Sequence, residues 1–255
     1  MSRQGSRQNR RQRIAAARAA EARRKRRLRL AIIGAAVVVA GAVAGIAVAL
    51  SGGSSTPTAS GSAGLADLST LGTLQPAPAP GALGPEGVPM PNAAALADTA
   101  NKATGQTVDR TSCSSSEQTL FHIHAHLTVF VNGTARQVPA AIGIPGAVPQ
   151  QTPAGPIVAQ GTCFYWLHTH AADGIVHIES PVQRTFTLGQ FFDEWGQPLG
   201  PGQVGPAKGH VTVIYNGKVF QGNPRNVPLT AHAQIQLEVG TPLVAPESIT
   251  WPSGL

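Results

Sequence analysis

Cysteine and methionine are scarce in this chain of 255 residues, which contains two of each. The cysteines, Cys113 and Cys163, are far apart and form no CxxC pair, which argues against a thiolate zinc cluster or a dithiol redox motif. The methionines, Met1 and Met90, lie outside the histidine-bearing part of the chain, which argues against a Met-rich Cu(I) carrier. The chain also lacks a P-loop, a dinucleotide-binding fingerprint, a serine nucleophile motif and an Asp/Asn-rich calcium loop.

Charged residues are also few, at 12% of the chain, and they are unevenly placed. Residues 1–29 contain twelve Arg or Lys side chains and one acid, Glu21, whereas the rest of the chain contains seven basic and eleven acidic side chains. The net charge of +7 therefore comes from the N-terminal tail. Because the remainder is net acidic, it is not a basic platform for nucleic acid, and we expect no nucleic-acid partner.

The segment Leu30–Leu50 has no charged residue, and as a helix it would be about 31 Å long, close to the hydrocarbon thickness of a bilayer. The basic tail before it predicts a single-pass plasma-membrane protein with a cytoplasmic N-terminus and an extracytoplasmic C-terminal domain. The alternative is a signal peptide cleaved after Ala-Val-Ala-Leu, before Ser51, which would give a secreted protein. Gly41 and Gly45 form a GxxxG pair through which two such helices would form a homodimer.

The rest of the chain divides into a linker and one domain. Residues 51–110, rich in Pro, Ala, Gly and Ser, predict a disordered linker, with a short helix over Asn92–Thr104. Residues 111–255 predict a compact, β-rich α+β domain of antiparallel hairpins, because apolar and polar residues alternate between recurrent turn signals. Two hairpin turns are predicted at Asn132-Gly133 and Asn216-Gly217, and one short helix after the capping box Thr187–Gln190.

The two cysteines predict a disulfide bond. An extracytoplasmic compartment is oxidising, and paired cysteines there are bridged by default. A Cys113–Cys163 bond would close a loop of about fifty residues, which stabilises a fold by roughly 4 kcal/mol through lost unfolded-state entropy.

Six of the eight histidines fall in two short stretches, LFHIHAHLTVFVNG and CFYWLHTHAADGIVHIES. In the first stretch, alternation places His122, His124 and His126 on the strand face opposite the apolar side chains. In the second, a four-residue loop at Ala171–Gly174 would place His168 directly opposite His177 across a hairpin.

Histidines that share a sheet face in this way can bind one metal ion through their ring nitrogens, and neutral imidazoles suit Zn or Cu. The predicted donors are seven side chains: His122, His124, His126, His168, His170, His177 and Glu179. The first hypothesis is a metal-binding domain for sensing, storage or structural use of the metal. The alternatives are a metal-dependent enzyme with three His ligands and Glu179 as general base, a metal-free structural or interaction domain with a hydrogen-bonded polar core, and a pH-responsive surface.

The two histidine stretches, together with TFTLGQFFDEWGQPL, resemble a family of bacterial envelope proteins. The resemblance covers roughly residues 110–240, and all seven predicted donors match the family pattern. It implies an N-terminal membrane anchor and a His-rich extracytoplasmic domain, and it implies no particular activity. The stretches HVTVIYNGKVF and PLTAHAQIQLEVG resemble the closing strands of β-grasp folds, which implies architecture alone.

Overall fold

A computed structural model describes residues 64–100 and 103–255. By its contacts the chain separates into two units, residues 1–59 and 60–255, and the first lies wholly outside the described residues. The predicted basic tail, the span Leu30–Leu50 and the Gly41/Gly45 pair therefore fall outside them too. Over the two described ranges, no helix is both long and apolar enough to cross a membrane.

The described residues are rich in short strands, with one α-helix and two 3-10 turns among them. The helix, α1, spans Leu188–Trp195, and the 3-10 turns span Leu68–Leu71 and Pro224–Asn226. In chain order the strands are β1 Gly64–Ala66, β2 Cys113–Ser114, β3 Phe121–Val131, β4 Thr134–Arg136, β5 Pro149–Thr152, β6 Gly155–Val158, β7 Phe164–Tyr165, β8 Leu167–His168, β9 Ile175–Ser180, β10 Phe186–Thr187, β11 Leu199–Gly200, β12 Gln203–Val204, β13 Ala207–Lys208, β14 Val211–Tyr215, β15 Lys218–Gln221, β16 Pro228–Leu229 and β17 Ala233–Val239.

Eight strands form the main sheet in the order β1-β15-β14-β17-β3-β9-β8, with β4 paired to the far end of β3. Smaller sheets join β10 to β16, β11 to β12 and β13, β2 to β7, and β5 to β6. The neighbours in the main sheet are antiparallel except β17 and β3, which run parallel from Ala233 beside Ala125 to Val239 beside Val131. The predicted β-rich domain with antiparallel hairpins and one short helix is confirmed. The parallel central pair was not predicted, because its partners are a hundred residues apart.

Two antiparallel hairpins flank this central pair, and the β3–β4 turn has the geometry that its sequence predicted. Asn132 and Gly133 both have positive φ, at 50° and 72°, as a two-residue type I′ turn requires. Asn216 and Gly217 have φ of 50° and 74° in the β14–β15 turn. The parallel central pair of the sheet therefore has antiparallel pairs on either side, β14–β15 on one and β8–β9 on the other.

Helix α1 covers the apolar face of the main sheet. Its capping box is formed as predicted: the Thr187 side chain accepts from the Gln190 backbone N–H, and the Gln190 side chain accepts from the Thr187 N–H. Gly196 ends the helix in the left-handed conformation. The buried side chains of α1 pack on Leu127 and other apolar residues of the sheet, forming one core. This packing fixes the orientation of β3, and therefore directs its histidines to the opposite face.

The opposite, polar face is covered by two extended segments. The N-terminal strap, residues 75–92, and the C-terminal segment, residues 243–249, pair with each other where Gln75 bridges Val244. Side chains of β17 hold the C-terminal segment, since Gln234 and Gln236 each exchange hydrogen bonds with its backbone. The strap lies over the histidines, and its Val88 is fully buried. Of the six histidines in the two stretches, five are therefore shielded from solvent by protein, and His122 remains exposed.

The strap lies inside the segment predicted to be a disordered linker, residues 51–110. Of that segment, residues 64–100 and 103–110 are described, and they pack against the domain through β1 and the bridge between Ala95 and Gln137. The predicted helix over Asn92–Thr104 is wrong for its described residues, which are irregular. A composition rich in Pro and Gly disfavours helices and a core of its own, but it is compatible with an extended chain that pairs with another surface.

The predicted disulfide is confirmed: Cys113 and Cys163 are bonded, with their Cα atoms 5.5 Å apart. The bond joins the β2–β7 region just before both histidine stretches. We expect the double variant Cys113→Ala/Cys163→Ala to lose about 2–4 kcal/mol of stability, because the unfolded chain regains the entropy of a loop with a separation of 50 residues. Urea unfolding of the oxidised protein and of the variant measures this, and equal midpoints would contradict it.

Glu238 on β17 predicts a pH dependence of stability. This carboxyl is 1% exposed, and burial raises its pKa from 4.5 to about 7. The folded chain therefore binds the proton more tightly than the unfolded chain, and that contribution to stability is lost as the pH rises from about 4.5 through about 7. Relative to wild type, Glu238→Gln should gain up to about 2 kcal/mol over this window, allowing for solvent screening. A stability difference that stays constant between pH 4 and pH 8 would contradict it.

Candidate metal centre

Three adjacent strands bring the two histidine stretches together. In the β3–β9 ladder, His122 is opposite Glu179 and His124 is opposite His177. In the β9–β8 ladder, His177 is opposite His168, as the four-residue loop predicted. Since directly opposed residues point to the same side of a sheet, the side chains of these strands converge around β9.

The first donor group consists of His122, His124, His177 and Glu179. Nε2 of His124 lies 3.0 Å from Nε2 of His122 and 3.1 Å from Nδ1 of His177. Oε1 of Glu179 lies 3.0 Å from Nε2 of His122 and 3.4 Å from Nδ1 of His177. A tetrahedral ion with bonds near 2.1 Å separates its donor atoms by about 3.4 Å, so these spacings suit a shared metal ion.

The second donor group consists of His168, His170, His177 and Glu179. Nε2 of His168 lies 3.2 Å from Nε2 of His170, and both side chains are buried. In each group, the four donor atoms lie within 4.8 Å of one another. The two groups share His177 and Glu179, which lie on β9 between the two pairs of histidines.

The hydrogen bonds of His168 and His170 determine their tautomers. Nδ1 of His168 is 2.7 Å from the Tyr165 carbonyl oxygen, and Nδ1 of His170 contacts the Val158 carbonyl oxygen. A carbonyl oxygen only accepts, so each Nδ1 carries a hydrogen and donates it. In the neutral rings, both Nε2 atoms are then without hydrogen, and their lone pairs face each other. A cation between them removes this repulsion, and the bonds at Nδ1 are those that a metal-bound histidine makes to its surroundings.

Burial and neighbouring charges keep the rings of His124 and His168 neutral. Burial, followed by the charges of His177 and His122, lowers the pKa of His124 to about 3. Burial, followed by the charges of His177 and His170, lowers the pKa of His168 well below its usual value. Burial also opposes protonation of His177, but the carboxylates of Glu179 and Glu86 outweigh it and raise the pKa of His177 to about 9. Of these three rings, His177 is therefore the one that holds a proton in the metal-free cluster.

Two carboxylates that were not predicted from the sequence lie at the edge of the cluster. Oε1 of Glu86, at the tip of the strap, lies 2.7 Å from Nε2 of His177, and Oε1 of Glu117 lies 3.5 Å from Nε2 of His170. Glu86 orients His177 so that its Nδ1 faces the other donors. Neither acid had a signal in the sequence, because each is an isolated acidic residue with no histidine beside it.

Three histidines lie outside both groups. His126 was predicted to be a metal donor, but its Nε2 donates instead to the Asp173 carbonyl oxygen at 3.0 Å and braces the β8–β9 loop. His232 stacks on Trp251, and His210 contributes its backbone carbonyl to the Gly240 N–H. The structure thus brings six of the seven predicted donors together and leaves His126 aside.

Two glycines allow the backbone to come close to the histidine strands. A Cβ at Gly143 would lie 2.3 Å from the Leu167 carbonyl oxygen and 3.0 Å from Cβ of His168. A Cβ at Gly174 would lie 2.4 Å from the Leu127 carbonyl oxygen. Both residues also have positive φ, at 69° and 85°, so a side chain at either position would displace the strands that hold the donors.

A cavity of about 450 Å³ lies between the strap and the sheet. His126 and Thr128 line it from the sheet, and Pro89 and Pro91 line it from the strap. None of the six clustered donors lines this cavity. The cavity therefore does not open onto the two donor groups.

Comparison of the chain with protein-family models, with curated proteins and with solved structures finds no match. The resemblance of residues 110–240 to a family of envelope proteins stays a prediction. The function is therefore inferred from the geometry of the chain's own residues.

The contact between Glu86 and His177 predicts the effect of removing this carboxylate. Glu86→Gln should weaken zinc affinity by about 10–100-fold, because the variant orients His177 less firmly and loses a negative charge beside the donors. Competition with a chromophoric chelator measures the affinity. Glu247→Gln, on the C-terminal segment that covers the same sheet, is the matched control and should bind as wild type does. Equal affinities for Glu86→Gln and wild type would contradict the role of Glu86.

Proposed function

We propose that this chain is a membrane-tethered, extracytoplasmic metal-binding protein whose histidine cluster holds Zn or Cu for sensing, storage or structural use of the metal. Metal binding is supported by geometry, because His and Glu side chains lie close enough together to hold a metal ion. The rest is supported by the chemistry of the donors and by the sequence that precedes the domain.

The main observation in favour of a bound metal is that Nε2 of His168 and Nε2 of His170 both lack a hydrogen in the neutral rings. Polar packing alone would pair a donor with each acceptor, since unsatisfied buried polar atoms are costly. Here both Nδ1 atoms donate to backbone carbonyls, and two Nε2 acceptors are left facing each other at 3.2 Å. A metal-free polar core accounts for this arrangement only with an added proton on one of the two Nε2 atoms, whereas a bound metal ion satisfies both without one.

The identity of the metal is restricted by the donor types. The six donors are five imidazoles and one carboxylate. Imidazole-rich sites favour zinc or copper over the oxygen-preferring Ca²⁺ and Mg²⁺. Cys113 and Cys163 are bonded to each other and supply no thiolate.

Tethering outside the cytoplasm is supported by three features: an apolar run, the basic tail that precedes it, and the disulfide. The apolar run Leu30–Leu50 follows a tail with twelve basic residues, which favours a cytoplasmic N-terminus. The disulfide suits an oxidising compartment on the other side of the membrane.

The position of Glu179 supports binding rather than catalysis. As a general base, Glu179 would face a bound water, but its Oε1 lies at 3.0 Å from Nε2 of His122, among the metal donors. Glu179 is also 2% exposed, and the described 450 Å³ cavity is lined by none of the cluster donors. The geometry therefore supports a binding site better than a hydrolytic one.

Metal-dependent stability tests this function. The full chain, in detergent and stripped with a chelator, should gain about 10 °C in Tm when Zn²⁺ or Cu²⁺ is added far above its Kd, because only the folded state binds the ion. The double variant His168→Ala/His177→Ala should show a much smaller metal-dependent rise, since it removes His177 from both groups and His168 from the second. Comparing each protein with and without metal removes the effect of the substitutions on stability itself.

The matched control is His210→Ala/His232→Ala, which removes two imidazoles that lie in neither donor group. It should keep the metal-dependent rise in Tm. If wild type shows no rise with either metal at pH 7.5, or if the control loses it together with the His168 and His177 variant, the proposed function is wrong.

A further inference from the structure

We propose that the cluster binds two metal ions rather than one, with the carboxylate of Glu179 bridging them. One ion is held by His122, His124 and His177, and the other by His168 and His170. This inference rests on the proposed function, because it concerns the number and arrangement of ions at the same centre. It assigns Glu179 a role that differs from general base and from simple ligand.

The spacing of the donors argues against a single ion. Two donors of one ion with bonds near 2.1 Å are at most about 4.2 Å apart, when they lie on opposite sides of the metal. Within each donor group, the four donor atoms lie within 4.8 Å of one another. Among the described residues, the six side chains do not form a single group in which all donor atoms are that close. One ion would therefore leave a pair of histidines unused, and the unused pair would still present nitrogens that face each other.

Each pair of histidines has its own dedicated contact. Nε2 of His122 faces Nε2 of His124 at 3.0 Å, and Nε2 of His168 faces Nε2 of His170 at 3.2 Å. His177 separates the pairs: its ring centroid lies 4.5 Å from that of His124 and 4.4 Å from that of His170. The two pairs thus lie on either side of β9.

Glu179 has one oxygen for each ion. Oε1 lies 3.0 Å from Nε2 of His122, so it belongs to the first group. Oε2 is fully buried and has no hydrogen-bond partner. A buried carboxylate oxygen without a partner is costly, and coordination to a second ion would satisfy it. Carboxylates of this kind can bridge ions about 3.5–4 Å apart, the separation found in two-metal sites.

The charge around the cluster also suits two divalent ions. Three carboxylates contact the histidines, those of Glu179, Glu86 and Glu117, and the side chain of Asp173 hydrogen-bonds to Glu86. A hydrogen bond between two carboxyl groups requires a proton on one of them, so these four acids carry up to three negative charges, which a single divalent ion does not neutralise. Of these four acids, Glu86, Asp173 and Glu179 are largely buried, where uncompensated charge is most unfavourable.

Metal stoichiometry tests the proposal. The full chain in detergent is stripped with a chelator, saturated with Zn²⁺, desalted and measured by elemental analysis against protein concentration. We expect two zinc ions per wild-type chain, one in His122→Ala/His124→Ala, one in His168→Ala/His170→Ala, and two in the control His210→Ala/His232→Ala. One zinc per wild-type chain would overturn the two-ion proposal and leave the proposed function intact, whereas none would overturn both.

A second measurement needs no variant and tests the bridge. In a Cu²⁺ titration followed by electron paramagnetic resonance, the first equivalent should give the signal of an isolated ion. The second should give a spin-coupled pair, with loss of that signal or a half-field resonance, because the ions share Glu179. Two equivalents with additive, uncoupled signals would overturn the bridging role of Glu179.

Discussion

Two buried imidazole nitrogens that face each other without a hydrogen between them are the constraint on which this centre depends. In their neutral forms, His168 and His170 each donate their only ring N–H to a backbone carbonyl. Their Nε2 atoms, which lie 3.2 Å apart, are therefore both acceptors. Bulk water would hydrate such atoms, but both side chains are buried, and there the repulsion of the lone pairs is only weakly screened. A cation is the partner that suits both nitrogens at once, and the neighbouring donors on β9 are placed to complete its coordination.

The two faces of the main sheet have different roles, one in the apolar core and the other in holding the donor side chains. One face packs against α1 in an apolar core, which holds β3, β9 and β8 in register. The other face carries the donors, and the N-terminal strap and the C-terminal segment cover it. This cover shields the cluster from water except at His122, and it places Glu86 against Nε2 of His177. Because the strap supplies both burial and a carboxylate, a domain that begins at residue 111 would lack part of the candidate metal centre.

Local sequence patterns predicted the features that depend on neighbouring residues alone, namely strand faces, turns and the helix cap. Alternation along β3 placed His122 and His124 on one face, and the length of the Ala171–Gly174 loop set His168 opposite His177. The capping box and the Asn-Gly turns were predicted for the same reason. The parallel pairing of β3 with β17, the approach of Glu86 and the bracing of Asp173 by His126 could not be predicted, because each depends on residues that meet only after the chain has folded. Composition alone also does not distinguish a free linker from an extended strap that packs on a sheet.

The most direct test of the central claim is a ¹⁵N NMR measurement of the histidine side chains in the chelator-stripped protein at pH 8, before and after zinc is added. The account predicts that the metal-free rings of His168 and His170 both carry hydrogen at Nδ1 and none at Nε2. Zinc should shift their Nε2 resonances and leave the Nδ1 hydrogens in place. A hydrogen on Nε2 of either ring, together with spectra that zinc does not change, would contradict the account and indicate a proton-linked polar core instead.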